Sequence, residues 1–555
     1  MLSNPPFGFR NFRNRFRPVS GTSLLCLLCA VLVAPTFSGC AGMRSCKDYV
    51  GSCKSYVHNG FKVGPEYCKP AAPVADSWID EYDERVRTEL PNYADWWAVF
   101  NDPVLDGLME ETYQQNLDLK VAGLRVLQAR YVRSIAVGGF FPQSQQAFGS
   151  YTRSQNSQNI SGGSLPLNTN TWVTGFDAFW ELDVWGKFRR NIESADASLD
   201  ASVEDYDAIL ISLLAETAST YVDLRTAQQR LRYAQANVGI QEGGLKLASV
   251  RLQAKAVSKL DVTQAENIVA NTEQLIPLYE NQVRVANNAL CVLLGIPPRD
   301  LTPELGDAPI PIPPADVVVG IPANLLRRRP DIRAAERQVA AQSAAIGVAT
   351  ADLLPHFSIT GSMSLQADRF DNLFESASAA GAISPGFSWD IFNYGRLINN
   401  VRLQDAVFQQ LAVNYQQTVL QANAEAGNAI NSFLTTQERL QRLGEAVDAS
   451  SESVEISLAQ YRTGATDYNR VFNLQTSLVS DQDTLAATQG QLANSLIAAY
   501  KAIGGGWEIR NGIRRGSTLN MDEVLEATDS QPAGEKGELP LVPTDELPPV
   551  PTEDN

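Results

Sequence analysis

The segment Trp172-Val173-Thr174-Gly175-Phe176-Asp177-Ala178-Phe179-Trp180-Glu181-Leu182-Asp183-Val184 alternates with a period of two. Trp172, Thr174, Phe176, Ala178, Trp180, Leu182 and Val184 share one face. Asp177, Glu181 and Asp183 share the other, interrupted by Phe179. Successive side chains of a strand point to opposite sides, so this reads as a strand with one apolar and one charged face. Segment 356–365 repeats the pattern, with Phe357, Ile359, Gly361, Met363 and Leu365 opposite His356, Ser358, Thr360, Ser362 and Ser364. Segment 383–391 does so with Ile383, Pro385, Phe387, Trp389 and Ile391 opposite Ser384, Gly386, Ser388 and Asp390. In 143–151 the pattern is weaker, with Gln143, Gln145, Ala147, Gly149 and Tyr151 on one side. About ten residues of such alternation mark a transmembrane β-barrel strand, although a half-buried soluble strand alternates too. Four strands cannot close a barrel, for which about eight are the minimum. Hydrocarbon does not tolerate an open sheet edge. If the strands lie in lipid, several chains share one barrel, and three chains supply 4 × 3 = 12 strands.

Around these strands the chain repeats itself. Gly186 and Gly395, Leu231 and Leu440, Val262 and Val471, and Gly295 and Gly504 are each 209 apart. Upstream the offset is 213, for Asp118 and Asp331, Ala122 and Ala335, and Pro142 and Pro355. The difference falls in the Asn/Ser/Gly-rich stretch 154–170, which reads as a turn. Each repeat runs helix, strand, loop, strand, long helix, helix. Prolines are absent from 167–276 and 386–531. Leu199, Val203, Tyr206, Leu210, Leu213, Thr217, Tyr221 and Leu224 recur at steps of three and four, and adding 209 preserves the phase from Phe408 to Phe433. That narrow seam predicts coiled-coil-like packing. A continuous helix from Gly186 to Leu252 would span about 100 Å at 1.5 Å per residue and would need neighbours to bury it.

The 555 residues carry 62 acids against 45 bases, net −17, which argues against nucleic acid as a partner. The 44% apolar content is too low for a polytopic helical membrane protein. Two histidines, His58 and His356, leave little for a His-based catalytic or metal site. Arg10, Arg13, Arg15 and Arg17 precede an apolar run from Gly21 to Phe37, which reads as an export signal. Phe37-Ser38-Gly39-Cys40 resembles a bacterial lipobox, which implies cleavage before Cys40 and acylation of its thiol. An ordinary signal peptide with a chance cysteine is the alternative. Ala41 after the cysteine fits sorting to the outer membrane. Cys46, Cys53 and Cys68 cluster with His58. Outside the cytoplasm a disulfide within the trio is the leading reading, with a zinc site as the alternative. Cys291, on a predicted helix, reads as packed.

Five motifs carry a resemblance: Val63-Gly64-Pro65-Glu66-Tyr67; Trp96-Trp97-Ala98-Val99-Phe100-Asn101-Asp102-Pro103; Asn116-Leu117-Asp118-Leu119; Leu325-Leu326-Arg327-Arg328-Arg329-Pro330-Asp331-Ile332-Arg333-Ala334-Ala335-Glu336; and Gly504-Gly505-Gly506-Trp507. Together they resemble the TolC-like outer membrane efflux ducts, in particular the lipoprotein branch that serves resistance-nodulation-division (RND) pumps, the NodT type. The resemblance covers Val63 to Glu508. It implies an α+β membrane protein, with two structural repeats giving four transmembrane β-strands and long coiled-coil helices per chain. As a homotrimer it would form a 12-stranded β-barrel on an α-helical barrel. It also implies a passive exit pipe in outer membrane lipid, docking on a periplasmic adaptor and an inner-membrane RND pump, with no cofactor and no catalytic residue.

The expected organisation is a signal peptide over 1–39, an anchor and linker over 40–95, repeat one over 96–300, a linker over 301–324, repeat two over 325–507 and an acidic, Pro-rich, disordered tail over 508–555. Residues 521–555 hold ten acids and one base. The resemblance places an iris-like gate where the helix pairs turn. The turn of repeat two is Tyr461-Arg462-Thr463-Gly464. Asn473 stands where the family usually has an aspartate, and Arg470 where some members have another acid. The repeat-one counterpart of Arg470 is Asp261 (470 − 209). Either Asp261 and Arg470 pair between neighbouring helices and hold the closed state, or both are solvated surface charges. The adaptor-contacting tips are expected at Lys255 and Ala256, where Lys255 replaces the usual glycine, and at Gly464, Ala465 and Asp467. Asp177, Glu181, Asp183 and Asp390 are expected to line the barrel lumen or its junction, favouring cations or keeping the pore wet.

Two other readings stay open. One is a protein-secretion duct of the same family, against which the lipobox and Arg-rich motif speak. The other is a periplasmic coiled-coil scaffold lipoprotein, which would need no membrane strands. An enzyme is least supported, since no nucleophile–base or metal constellation appears.

Overall fold

A computed structural model describes residues 60–87, 93–157, 168–320 and 322–511. Cys40, Cys46, Cys53, His58 and the acidic residues beyond 511 lie outside the described residues. Two short helices come first, α1 (Pro103–Gln115) and α2 (Leu117–Gly138). Asp102 caps α1 by accepting from the amides of Val104 and Leu105, and Pro103 sits at the first helical position, where its missing N–H costs nothing. Strands β1 (Ser144–Gln155) and β2 (Asn168–Leu182) follow. The long helix α3 (Lys187–Gln253) returns through α4 (Lys259–Glu273) and α5 (Leu275–Leu293). Repeat two supplies α6 (Pro330–Ala351), β3 (His356–Ala367), β4 (Ala379–Ser388), α7 (Arg396–Thr463) and α8 (Tyr468–Ile503). At 67 and 68 residues, α3 and α7 are each about 100 Å long. Gly186 and Gly395, at equivalent repeat positions, begin them in the left-handed conformation.

The sheet is antiparallel in the order β1-β2-β3-β4. Its register settles the faces. Phe176 lies opposite Ala147 and Met363, and Trp180 opposite Ile359. Phe357 lies opposite Phe387, and Gly361 opposite Ile383. All four apolar faces read from the sequence therefore fall on one side of the sheet. A slip of one residue at any pairing would have mixed them. β2 stops at Leu182 and β4 at Ser388, short of the expected ends at Val184 and Ile391.

The core lies where the Arg-rich motif meets the end of repeat two. Trp507 is fully buried, and the Trp96 ring stacks on Tyr500 with centroids 5.6 Å apart. Arg328 donates to Glu508 at 2.8 Å, with both side chains buried. Arg333 reaches Glu204 at 2.5 Å and lies over the Trp507 ring. Arg510 holds Asp207 through two bonds of 2.8 and 2.9 Å. Arg329 joins Asp331 and Glu425 and donates to the Ala502 carbonyl. The expected tail boundary at 508 is thus corrected. Trp507–Asn511 forms a helical turn whose Glu508 and Arg510 complete buried ion pairs, and a buried charge needs such a partner.

The segment before α1 is a strap along the helices. The Val63 amide donates to the Trp185 carbonyl at 3.0 Å, and Arg190 donates to the Val63 carbonyl at 3.1 Å. Further along, Trp78 donates to the Gly320 carbonyl, and Val86–Arg87 pairs in parallel with Val317–Val318. Cys68 is exposed on this strap, while Cys291 is buried in the main core.

Candidate functional site

The sheet end and the helix-turn end are the two places with a function to explain. On the apolar side of the sheet, Phe176, Met363, Ile383 and Phe387 are all exposed. Such a patch is too large to leave in water. Aromatic rings gather at both ends of it. Tyr151, Trp172, Phe370 and Phe374 make ring contacts at one end. Trp185, Phe357 and Phe387 do so at the other. From Trp172 to Leu182, strand rise and a tilt of about 40° give a band about 25 Å tall, the height of an outer-membrane hydrocarbon band. Among the described residues no helix is long and apolar enough to cross a membrane.

Across the sheet, Asp177 is exposed on the polar face. Glu181, on the same face, accepts from His356 at 2.8 Å and lies 3.7 Å from Lys187, which also reaches Asp352 at 3.0 Å. This ties the base of the strands to the starts of the helices. Asp183, expected at the lumen or its junction, lies at the strand–helix junction. It lies past the end of β2, its side chain is buried, and it accepts from the amides of Phe188 and Arg189 and from the Arg189 guanidinium. The positive end of α3 draws the carboxylate inward. Asp390 also lies outside its strand, exposed and 3.5 Å from Arg396.

At the opposite end the two helix turns meet. Lys255 and Ala256 are exposed in the α3–α4 turn, and Gly464, Ala465 and Asp467 in the α7–α8 turn. Asp467 caps α8 by accepting from the Arg470 amide at 3.1 Å. Arg251 lies over the Tyr461 ring at 4.6 Å and donates to the Tyr461 carbonyl, binding one turn to the other. Asp261 accepts from Ser258 at 2.9 Å and from the Tyr461 hydroxyl at 3.4 Å. Burial, then the Asp261 charge, push Tyr461 up to about 12, so its hydroxyl stays protonated and donates. Among the described residues no ion pair joins Asp261 to Arg470. Inside one chain the aspartate is engaged by Tyr461, while Arg470 and Asn473 stay exposed. Composition and motif spacing singled out the charges here and missed Tyr461 as the partner of Asp261 and Arg251 as the partner of Tyr461. The only signal was that the tyrosine is part of the quoted turn.

The two repeats are not equally covered. α6 packs against both α3 and α7, whereas α2, its repeat-mate, packs mainly against α3. Tyr131 on α2 is 61% exposed, while its counterpart Ala344 on α6 is 5% exposed. Leu420 on α7 is 50% exposed, while its counterpart Ile211 on α3 is 5% exposed. Val121 and Val413 are likewise exposed where Ala334 and Glu204 are buried. One outer flank of each repeat-mate pair is bare, and β1 and β4 are bare sheet edges on the same two sides.

A family model described as "Outer membrane efflux protein" matches residues 108–296 and 321–505. The chain belongs to that family. The family match covers both repeats, and with it the chain is an outer membrane efflux duct of the TolC-like α+β fold, with its helical part in the periplasm. It is 31% identical over 423 residues to the pyoverdine export outer membrane protein OpmQ of Pseudomonas putida, covering 74% of this chain and 88% of that one. It is 30% identical to nodulation protein T of Rhizobium leguminosarum bv. trifolii over 457 residues, 82% of this chain and 96% of that one. Among solved structures it resembles the outer-membrane channel OprN, with a TM-score of 0.76 and 33% identity, over 80% of this chain and 100% of that one.

Proposed function

We propose that three copies of the chain close into a 12-stranded barrel on a helical barrel and form the passive exit duct of a tripartite RND-type system. A periplasmic adaptor and an inner-membrane pump would be its partners and small molecules its cargo. The unfinished ring carries this reading. Within the chain the order of cover is α2, α3, α6, α7, and the bare Val413 and Leu420 of α7 correspond to Glu204 of α3, which Arg333 of α6 meets, and to Ile211, which packs on Trp507. A second copy's α2 therefore fits α7 as α6 fits α3, and its β1 fits β4. Repeating the operation closes the sheet edges that lipid would not tolerate. Resemblance to a pyoverdine exporter supports a small-molecule cargo over a secreted protein.

In this duct Asp177 and Glu181 face the lumen. Lys255, Ala256, Gly464, Ala465 and Asp467 form the adaptor-facing tips, and Asp261, Arg470 and Asn473 lie at the periplasmic gate, with Arg470 free to meet a neighbouring copy. Cys40 is the lipidation site, after a signal peptide over 1–39, and repeat two runs on through Asn511. The test is the protein mass of the detergent-extracted duct by light scattering. Three chains are expected. One or two would leave the strands unclosed and bring the scaffold reading forward.

A further inference from the structure

The buried core is interrupted along the helices. The main cluster runs down to Leu224, Leu440 and Leu492, and a separate cluster of Ala248, Ala265, Tyr461, Tyr468 and Val471 occupies the turn end. Between them the α3–α8 contact carries polar pairs. Asn237 donates to Gln482 at 2.7 Å, and Arg230 holds Asp483 at 2.7 Å. One turn nearer the tip, Gln241 and Gln475 are 1% and 2% exposed, and Tyr468 is fully buried. Both amide atoms of each glutamine and the Tyr468 hydroxyl make no hydrogen bond among the described residues. Two of these side chains meet at Gly244. A Cβ added at Gly244 would lie 3.3 Å from the Tyr468 hydroxyl and 4.0 Å from Gln475 Nε2. Gln241 stands three residues before Gly244 on the same helix face.

We propose that Gln241, Gln475 and Tyr468 bind internal water between α3 and α8, at the place Gly244 leaves open. Five buried polar atoms that no protein group satisfies are what a buried water needs, and leaving them unpaired costs more than ordering the water. A second copy cannot supply the missing partner, because these atoms are already covered within one chain. Burial pushes Tyr468 up to about 12, so its hydroxyl is a donor at all working pH values. The site is independent of what the duct carries.

The test is radiolytic hydroxyl labelling of the full-length, detergent-extracted protein, read by mass spectrometry. Tyr221 is equally buried, but its hydroxyl is bonded to Asp102 at 2.7 Å, so it is the control. Radicals made from the bound water should label Tyr468 about tenfold faster than Tyr221. The Gln241→Leu/Gln475→Leu double variant should bring Tyr468 down to the Tyr221 rate. Equal rates in the wild type overturn the site, and so does fast labelling that survives in the double variant, since it would come from opening of the tip. Should the double variant fail to assemble, a crystal structure of the wild type decides. Water about 3 Å from at least two of the three side chains is expected, and a direct Gln241–Gln475 bond overturns the proposal.

Discussion

Lys255 and Gly464 stand 209 residues apart, at the same place in the two repeats, and both hold a left-handed backbone, with φ of 59° and 83°. A side chain makes that conformation costlier by about 1–2 kcal/mol. Gly464→Ala should therefore loosen the α7–α8 turn by about 1 kcal/mol, seen as roughly fivefold faster amide exchange there. Lys255→Gly should slow exchange in the α3–α4 turn slightly, because the relieved strain is partly offset by about 0.5–1 kcal/mol of added chain entropy. Faster exchange in that variant would mean that the Lys255 side chain itself holds the turn.

Tyr461 and Asp261 link α7 to α4 near the tip. Tyr461→Phe removes only the hydroxyl. If the bond helps keep the gate shut, single-channel conductance should rise while the mass of the assembly stays the same. A conductance equal to wild type assigns the bond to structure alone.

Acid should weaken the middle of the helical barrel. Asp483 accepts from Arg230 and from Tyr279 at 2.5 Å, joining α8, α3 and α5. Burial raises its pKa, but the bonds from Arg230 and Tyr279 and the Arg230 charge outweigh that and hold it below its ordinary 3.8. A lowered folded pKa adds stability that is full above the unfolded value near 3.9 and is lost as pH falls through the folded one. Asp483→Asn should cost about 1–2 kcal/mol at pH 7. The gap to wild type, followed by denaturant melts, should close below pH 4. A gap constant down to pH 3 would show that the carboxylate charge does not matter.

The closed barrel has a definite seam. In the chain, β2 and β3 partners sum to 539. The β1–β2 partners sum to 323 and the β3–β4 partners to 744. The repeats thus differ by 744 − 323 = 421, or 209 for the second strand and 212 for the first, one less than the 213 of the helix before it, and only an even offset lays the apolar face of 143–151 on that of 357–365. β4 of one copy and β1 of the next should then sum to 539 + 209 − 212 = 536. Gly386→Cys with Ser150→Cys should cross-link copies on oxidation, whereas Gly386→Cys with Gly149→Cys should not, because the side chains face opposite ways. Cross-linking by the second pair instead would place the seam in another register.

Removing one half of the buried Arg328–Glu508 pair should be severe. Arg328→Met leaves Glu508 buried and uncompensated, at about 3–5 kcal/mol. Yield of folded duct should fall sharply. Restoring yield with Glu508→Met in addition would confirm that the stranded charge is the fault.

Strand faces and long helices were legible in the sequence because both depend on local periodicity. Trp172 to Leu182 alternates whatever it packs against, and the proline-free stretches let α3 and α7 run unbroken. Partners were not legible. The three arginines of Arg327-Arg328-Arg329 look alike in sequence, yet Arg328 meets Glu508, 180 residues away, and Arg329 meets Glu425. Asp183 kept the strand's phase, but the strand ended one residue earlier and the helix start took its carboxylate. The same blindness assigned residues after Trp507 to a tail, since Glu508 and Arg510 look soluble until Arg328 and Asp207 are seen.

The matched lengths of α3 and α7 act as a shared ruler. One extra heptad in α7 alone would push its turn about 10 Å onward and carry Tyr461 away from Arg251. The descending and returning helices of both halves must therefore grow or shrink together. A lineage that needs a duct for a wider gap between its membranes cannot reach it through single insertions that each work. It must change four places in step, or copy one lengthened half over the other.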